Sequence, residues 1–167
     1  MRTGPDEGQP YVNTPGQGFE PASGDGPAPS EAGRAAQLRT AHEGLLQIRR
    51  LVNGPSGAGV PAPWELRLMQ RAVALVLEAA GLPPSARDPQ DPGGRRTRTG
   101  YRVGPSASGD GRVEVTWLGP AGGGAAEEEQ ERLTVCAAAL EELGWVCLLY
   151  RGPRRRRFLE VEPPAAL

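Results

Sequence analysis

The chain contains no lysine, only one histidine and two cysteines, and aromatic residues make up 5% of it. All 19 basic residues are arginine. Lysine codons are A-rich, whereas the codons for arginine, alanine, glycine and proline are GC-rich. The composition therefore indicates a high-GC bacterial gene, and the abundance of arginine does not by itself indicate phosphate binding.

Long apolar runs are absent as well. The longest, residues 72–77, is far shorter than the roughly 20 residues that a membrane-spanning helix needs. Residues 1–18 contain no apolar core of a secretory signal. We therefore expect a cytoplasmic protein with no membrane partner, in which Cys136 and Cys147 are reduced.

The scarcity of histidine and cysteine limits the chemistry that the chain can perform. Two cysteines and one distant histidine are too few ligands for a zinc site, and the Cys-x-x-Cys redox spacing is absent. His42 has no nucleophile or second metal ligand near it in the sequence. The glycine-rich stretch at 54–60 lacks the lysine that a phosphate-binding loop requires. We therefore predict no catalytic residue, metal or cofactor, and a protein that is not an enzyme.

Glycine and proline, 24 and 18 residues respectively, are concentrated in particular segments. Residues 1–29 have the composition of a disordered acidic tail, and residues 82–99 that of a flexible linker. Residues 30–81 have helical periodicity and predict a helical hairpin. Residues 100–163 predict a ββαββ domain, in which an antiparallel sheet carries one helix on one face. The predicted fold class is α+β.

The first predicted helix carries one apolar face, with spacings of three and four residues. Such a face either packs inside the chain or binds a partner helix or a second copy of the chain. The candidate partner-binding residues on this face are Leu38, Leu45, Ile48 and Val52.

In the C-terminal segment, apolar and polar residues alternate as they do in half-buried strands. In residues 112–118, Val113, Val115 and Trp117 fall on one face. The apolar run at 145–150 predicts a buried strand, and residues 156–162 predict the last strand. This element order occurs in several unrelated small binding modules, and a shared order would not by itself define a function.

An arginine cluster, "RGPRRRRF", joins the last two predicted strands. It would lie at the tip of a hairpin, where arginines can contact phosphates, and the outward face of the sheet would add two more. The alternative is a strand edge protected by charge, with cross-strand pairs to Glu114 and Glu160. The candidate nucleic-acid-binding residues are Arg102, Arg112, Arg151, Arg154, Arg155, Arg156 and Arg157.

The local charge balance weighs against nucleic-acid binding. Residues 100–167 carry eight arginines against ten acidic residues, although six of those acids lie on the predicted helix. We therefore expect a small non-catalytic binding or adaptor protein that acts through protein–protein contacts with a partner of unknown identity. Nucleic-acid binding through the arginine-rich hairpin is the first alternative, an enzyme is the second, and a homodimer is compatible with the sequence.

Overall fold

A computed structural model of the chain describes residues 19–91 and 93–165. These residues form four α-helices and two antiparallel sheets, so the prediction of a mixed α+β fold is confirmed. The helices are α1 (Arg34–Asn53), α2 (Pro63–Arg67), α3 (Met69–Ala79) and α4 (Ala125–Glu142). The strands are β1 (Ala86–Arg87), β2 (Arg96–Arg98), β3 (Gly100–Pro105), β4 (Val113–Leu118), β5 (Val146–Arg151) and β6 (Arg157–Glu162). Within the described residues, no helix combines the length and the apolar character needed to cross a membrane.

The larger sheet has the order β3-β4-β6-β5, and all its neighbouring strands are antiparallel. The chain leaves β4, passes through α4 to the far edge as β5, and then returns as β6 between them. The alternation predicted for β4 is present, since Val113, Val115 and Trp117 are buried on one face of the sheet. The α4 helix packs against β4, β5 and β6 and completes the core there with Leu133 and Leu140.

The second predicted helix is divided in two. Leu68 has φ −125° and ψ 52°, which are not helical angles, and this residue separates α2 from α3. Residues 72–78 of α3 are all buried, and α3 contacts α1, β3 and α4. A helix that is apolar on most of its circumference belongs at the centre of a core. The helical segment of residues 30–81 therefore packs on the sheet through α3.

A buried ion pair between α1 and α2 joins these two helices to the end of α4. Arg49 and Glu65 are both fully buried, and the guanidinium donates to the two carboxylate oxygens over 2.8 and 2.7 Å. Arg49 Nη1 also donates to the carbonyl oxygens of Ala58 and Leu143, over 2.9 and 2.7 Å. The Leu143 carbonyl lies just past the last turn of α4, where helical carbonyls have no partner within the helix. One arginine therefore connects α1, α2, the loop between them and α4.

Residues 1–18 of the predicted acidic tail lie outside the described residues, whereas residues 19–29 are packed against the fold. Gly24 is buried with φ +91°, and a Cβ atom there would lie 2.2 Å from the carbonyl oxygen of Tyr101. Only glycine fits such a position. The packed part of the chain therefore begins earlier than the predicted boundary at residue 30.

Asp25 is the main polar anchor of this segment. Its carboxylate accepts hydrogen bonds from Arg96 and Arg102, both over 2.7 Å, and from Arg87 over 3.2 Å. Partial burial by itself raises the pKa of Asp25, but the hydrogen bonds and charges of Arg102 and Arg96 outweigh it and hold the pKa below its usual value. Asp25, one of the acidic residues that indicated a disordered tail, is therefore part of a structural contact.

Residues 82–99, predicted to be a flexible linker, contain the two-stranded sheet β1-β2 instead. The Ser85 hydroxyl donates to the carbonyl of Arg98 over 2.9 Å, and Pro84 forms a parallel bridge with Tyr101. Hydrogen bonds to β3 and ion pairs to Asp25 hold this segment. Such contacts leave no hydrophobic period in the sequence, so a periodicity analysis does not detect them.

Candidate functional site

The strand β5 lies at an edge of the sheet and is exposed. In the described part of the chain it pairs with β6 alone, so the backbone N–H and C=O groups of its other side face outward. Its exposed apolar side chains keep between 37% and 44% of their surface accessible. They are Val146, Leu148, Leu149 and Tyr150.

The prediction of a buried strand at 145–150 is therefore wrong for β5, and only Trp145 just before it is buried. The physical reason is the order of the strands, because β6 returns to the interior of the sheet and leaves β5 outermost. A short apolar run looks the same in the sequence whether it fills a core or an exposed surface.

Both faces of β5 carry apolar side chains. Leu149 pairs with the buried Leu159 and therefore lies on the face that α4 covers. Leu148 and Tyr150 alternate to the opposite face, where the Tyr150 ring stacks on Phe158 with centroids 5.5 Å apart. We call this surface, the outward backbone of residues 146–151 together with their exposed side chains, the β5 edge.

The opposite edge of the same sheet is covered. The amide of Tyr101 in β3 donates to the carbonyl of Pro83 over 2.9 Å, and its own carbonyl accepts from the Ser85 amide over 2.9 Å. The amide of Val103 donates to the carbonyl of Ser23 over 2.8 Å. The chain thus satisfies the backbone of one edge with its own segments and leaves the β5 edge open.

The turn between β5 and β6 holds the arginine cluster, and we call residues 151–157 the arginine turn. Arg151 and Arg157 lie directly opposite each other across the two strands. Like charges in such a pair repel. Arg154 is exposed in the turn, with φ 60°. The side chain of Arg155 lies outside the described part of the structure.

The other candidate arginines are engaged by the protein itself. Arg156 donates to Glu129 over 2.8 Å and to the carbonyl of Trp117 over 2.9 Å. Arg112 donates to Glu162 over 2.9 Å. Arg102 is one of the partners of Asp25 described above. The structure therefore does not gather the seven arginines into one patch, and among the described side chains only those at 151, 154 and 157 lack an acidic partner.

The cross-strand pairs expected with Glu114 and Glu160 differ as well. These two carboxylates lie opposite each other, on β4 and β6. Glu160 accepts hydrogen bonds from Ser106 and Ser108 and lies 3.5 Å from Arg112. Burial, with the Glu160 charge, raises the pKa of Glu114. The described side chains of the arginine turn form no ion pair with either carboxylate.

The candidate partner residues of α1 lie mostly inside the fold. Leu45 is fully buried, and Leu38 and Ile48 are partly buried against the core. Val52, 53% exposed, is the one that faces solvent. The apolar face of α1 thus packs on α3 within the chain.

Burial shifts the pKa of both cysteines and of the histidine, all of which lie in the described residues. Burial raises the pKa of the thiols of Cys136 and Cys147 to about 12, so neither is a reactive thiolate at neutral pH. Partial burial and the charge of Arg49 lower the pKa of His42. The described ranges contain no group of three or more histidine, cysteine, aspartate or glutamate side chains placed to hold a metal ion.

The sequence matches no protein-family model, and the comparisons with curated proteins and with solved structures found no match either.

Proposed function

We propose that this chain is a small, non-catalytic cytoplasmic binding protein that holds another protein chain by adding a strand to the β5 edge. In this proposal the ββαββ part, from β3 to β6, is the binding module, and α1 to α3 support it from one side. The observation that carries the proposal is the asymmetry of the sheet, with one edge closed by the chain itself and the other open and apolar.

The energetics of strand addition suit this edge. An incoming strand takes up the outward N–H and C=O groups of β5, which gives affinity, and the alternating side chains give specificity. Each exposed apolar side chain of β5 would gain about 0.5–1.5 kcal/mol on burial, because roughly two fifths of its surface is still accessible. Proteins usually protect long apolar edges with charge, proline or a covering segment. The interior of β5 has none of these, which supports a role in binding.

The test is site-specific photo-crosslinking in the producing cells. A photoreactive residue replaces Leu148 on the β5 edge or, as the matched control, Leu51, an exposed leucine of α1. Adducts are identified by mass, and binding of the identified protein is then measured with purified components and the Leu148→Arg and Leu51→Lys variants.

The proposal predicts a protein adduct at 148 that is absent at 51, and binding that only Leu148→Arg abolishes. Equal adducts at both positions, no adduct at 148, or binding that survives Leu148→Arg would overturn it. Because Leu148 lies opposite Glu160, an arginine there has an acidic neighbour, and the variant is expected to fold.

One observation favours nucleic-acid binding as a second function. The opposed pair Arg151 and Arg157, with Arg154 between them, brings like charges together, and among the described residues none of these three side chains forms an ion pair. An anionic backbone would relieve this repulsion.

Fluorescence anisotropy with duplex DNA, single-stranded DNA and RNA at two salt concentrations tests this second function. The first variant changes Arg151, Arg154 and Arg157 to serine. The control variant makes the same change at the exposed Arg39, Arg50 and Arg67. Salt-sensitive binding lost only in the first variant supports it. No binding at low salt, or equal loss in both variants, contradicts it.

A further inference from the structure

We infer that the occupant of the β5 edge is a second copy of this chain, paired antiparallel about a two-fold axis perpendicular to the sheet. This inference rests on the proposed function, since it names the partner at the same edge. The observation that carries it is that the two ends of β5 have opposite charge.

The C-terminal end of β5 is cationic. Arg151 ends the strand, with Arg157 opposite it and Arg154 in the following turn. The end at Val146 is acidic, because Glu141 and Glu142 are exposed in the last turn of α4. Among the described residues, no ion pair joins the three arginines at one end to the two glutamates at the other within one copy.

Antiparallel pairing brings these ends together. A perpendicular two-fold axis places the Arg151 end of one strand beside the Val146 end of the other, twice in each dimer. Arg151 and Cys147 share the face that α4 covers, as their partners Arg157 and Val161 show. Glu141 also lies on this side, close enough to Cys147 for its charge to raise the pKa of the thiol. Arg151 of one copy would therefore meet Glu141 of the other.

The side chains match in the same way. Residues opposite each other in an antiparallel pair lie on the same face of the sheet. Two registers satisfy this, one that centres the axis on Leu148 and one that centres it on Leu149. In either register the exposed apolar residues of one β5 meet those of the other, and the product is an eight-stranded sheet with both copies of α4 on one face.

The assembly also has a natural end point. A two-fold contact uses the same surface on both copies, so it closes on itself. Further strand addition would need the β3 edge, whose backbone is bound to residues Ser23, Pro83 and Ser85. The geometry therefore predicts a dimer rather than a fibre.

The test is sedimentation velocity of the purified full chain over a range of concentrations. Wild type is expected to reach twice the 17.6 kDa chain mass. Leu148→Arg should raise the dissociation constant about 100-fold or more, because in either register each copy then places a charged side chain among the apolar residues of the pair. The control Leu51→Lys should dimerise as wild type does.

A charge swap tests the orientation. Arg151→Glu and Glu141→Arg should each weaken the dimer by on the order of tenfold, since each occurs twice and replaces attraction with repulsion. The two changes combined should restore it. A wild type that stays monomeric at every concentration, or a double variant no tighter than the single ones, would overturn the inference.

The outcome separates this inference from the proposed function. If crosslinking at 148 captures a different protein while the purified chain remains monomeric, strand addition stands and self-pairing is wrong. If position 148 captures no protein and the chain remains monomeric, both are wrong.

Discussion

The buried pair of Arg49 and Glu65 makes the strongest prediction about stability. Replacing Glu65 with glutamine keeps the shape of the side chain and removes its charge. The arginine would then be a fully buried cation without a counterion, since the glutamine oxygen and the carbonyls of Ala58 and Leu143 are all uncharged acceptors.

The expected loss is large for a protein of this size. Removing one member of a buried ion pair costs about 3–5 kcal/mol, compared with a total stability of roughly 5–15 kcal/mol. For a chain of this length each kcal/mol lowers Tm by about 2–4 °C, so Glu65→Gln should lower it by roughly 6–20 °C.

The assay is urea unfolding followed by circular dichroism, with thermal unfolding in parallel. The control is Glu43→Gln, an exposed glutamate of α1, which should stay within about 0.5 kcal/mol of wild type. Arg49→Met, Glu65→Leu and the double variant Arg49→Met/Glu65→Leu form a double-mutant cycle with the wild type. The two positions should couple by about 2–3 kcal/mol, because the double variant leaves no buried charge.

A loss below about 1 kcal/mol for Glu65→Gln, or effects of the two positions that add within about 0.5 kcal/mol, would show that Arg49 and Glu65 do not act as a buried ion pair. Either result would mean that water reaches the pair or that the helices are not joined by it.

Three further predictions concern the rest of the fold. The pKa of Asp25 is lowered in the folded chain, so its contribution to stability is present above the unfolded value of about 3.9 and is lost as pH falls through the lower folded value. Urea unfolding from pH 6 to pH 2 should show a shallower loss for Asp25→Asn than for wild type, and parallel curves would contradict this. Gly24→Ala combines a positive φ with a Cβ 2.2 Å from the Tyr101 carbonyl, and it should cost about 2 kcal/mol or more in the same assay, whereas Gly26→Ala meets nothing within 4 Å and should cost less than 1 kcal/mol. Both cysteines have a pKa raised to about 12 by burial, so the native chain at pH 8 should react with iodoacetamide on the order of 10³ times more slowly than the urea-unfolded chain, and equal rates would refute the stated burial.

The sequence predicted those elements whose pattern is periodic. The alternation of Val113, Val115 and Trp117 indicated β4 and its buried face, and the spacing of Leu38, Leu45 and Ile48 indicated α1. Local periodicity records which side of an element is apolar. It does not record which element covers that side, so it could not decide whether α1 packs inside the chain.

The contacts that periodicity missed are polar or depend on strand order. Asp25 holds arginines that lie more than sixty residues away in the chain, and its position in an acidic Gly/Pro-rich stretch resembled disorder. The exposure of β5 follows from the return of β6 to the interior, which no short segment encodes. The seven candidate arginines looked equivalent in the sequence, yet three of them are ion-paired because Asp25, Glu129 and Glu162 happen to be near.

Amide hydrogen exchange of the purified chain measures the asymmetry of the two sheet edges, on which the proposed binding depends. In dilute solution the outward amides of β5 should exchange rapidly, while the amides of Tyr101 and Val103 in β3 remain protected by Pro83 and Ser23. Concentrating the sample should slow exchange in β5 alone. Equal exchange at the two edges in the dilute monomer would contradict the account.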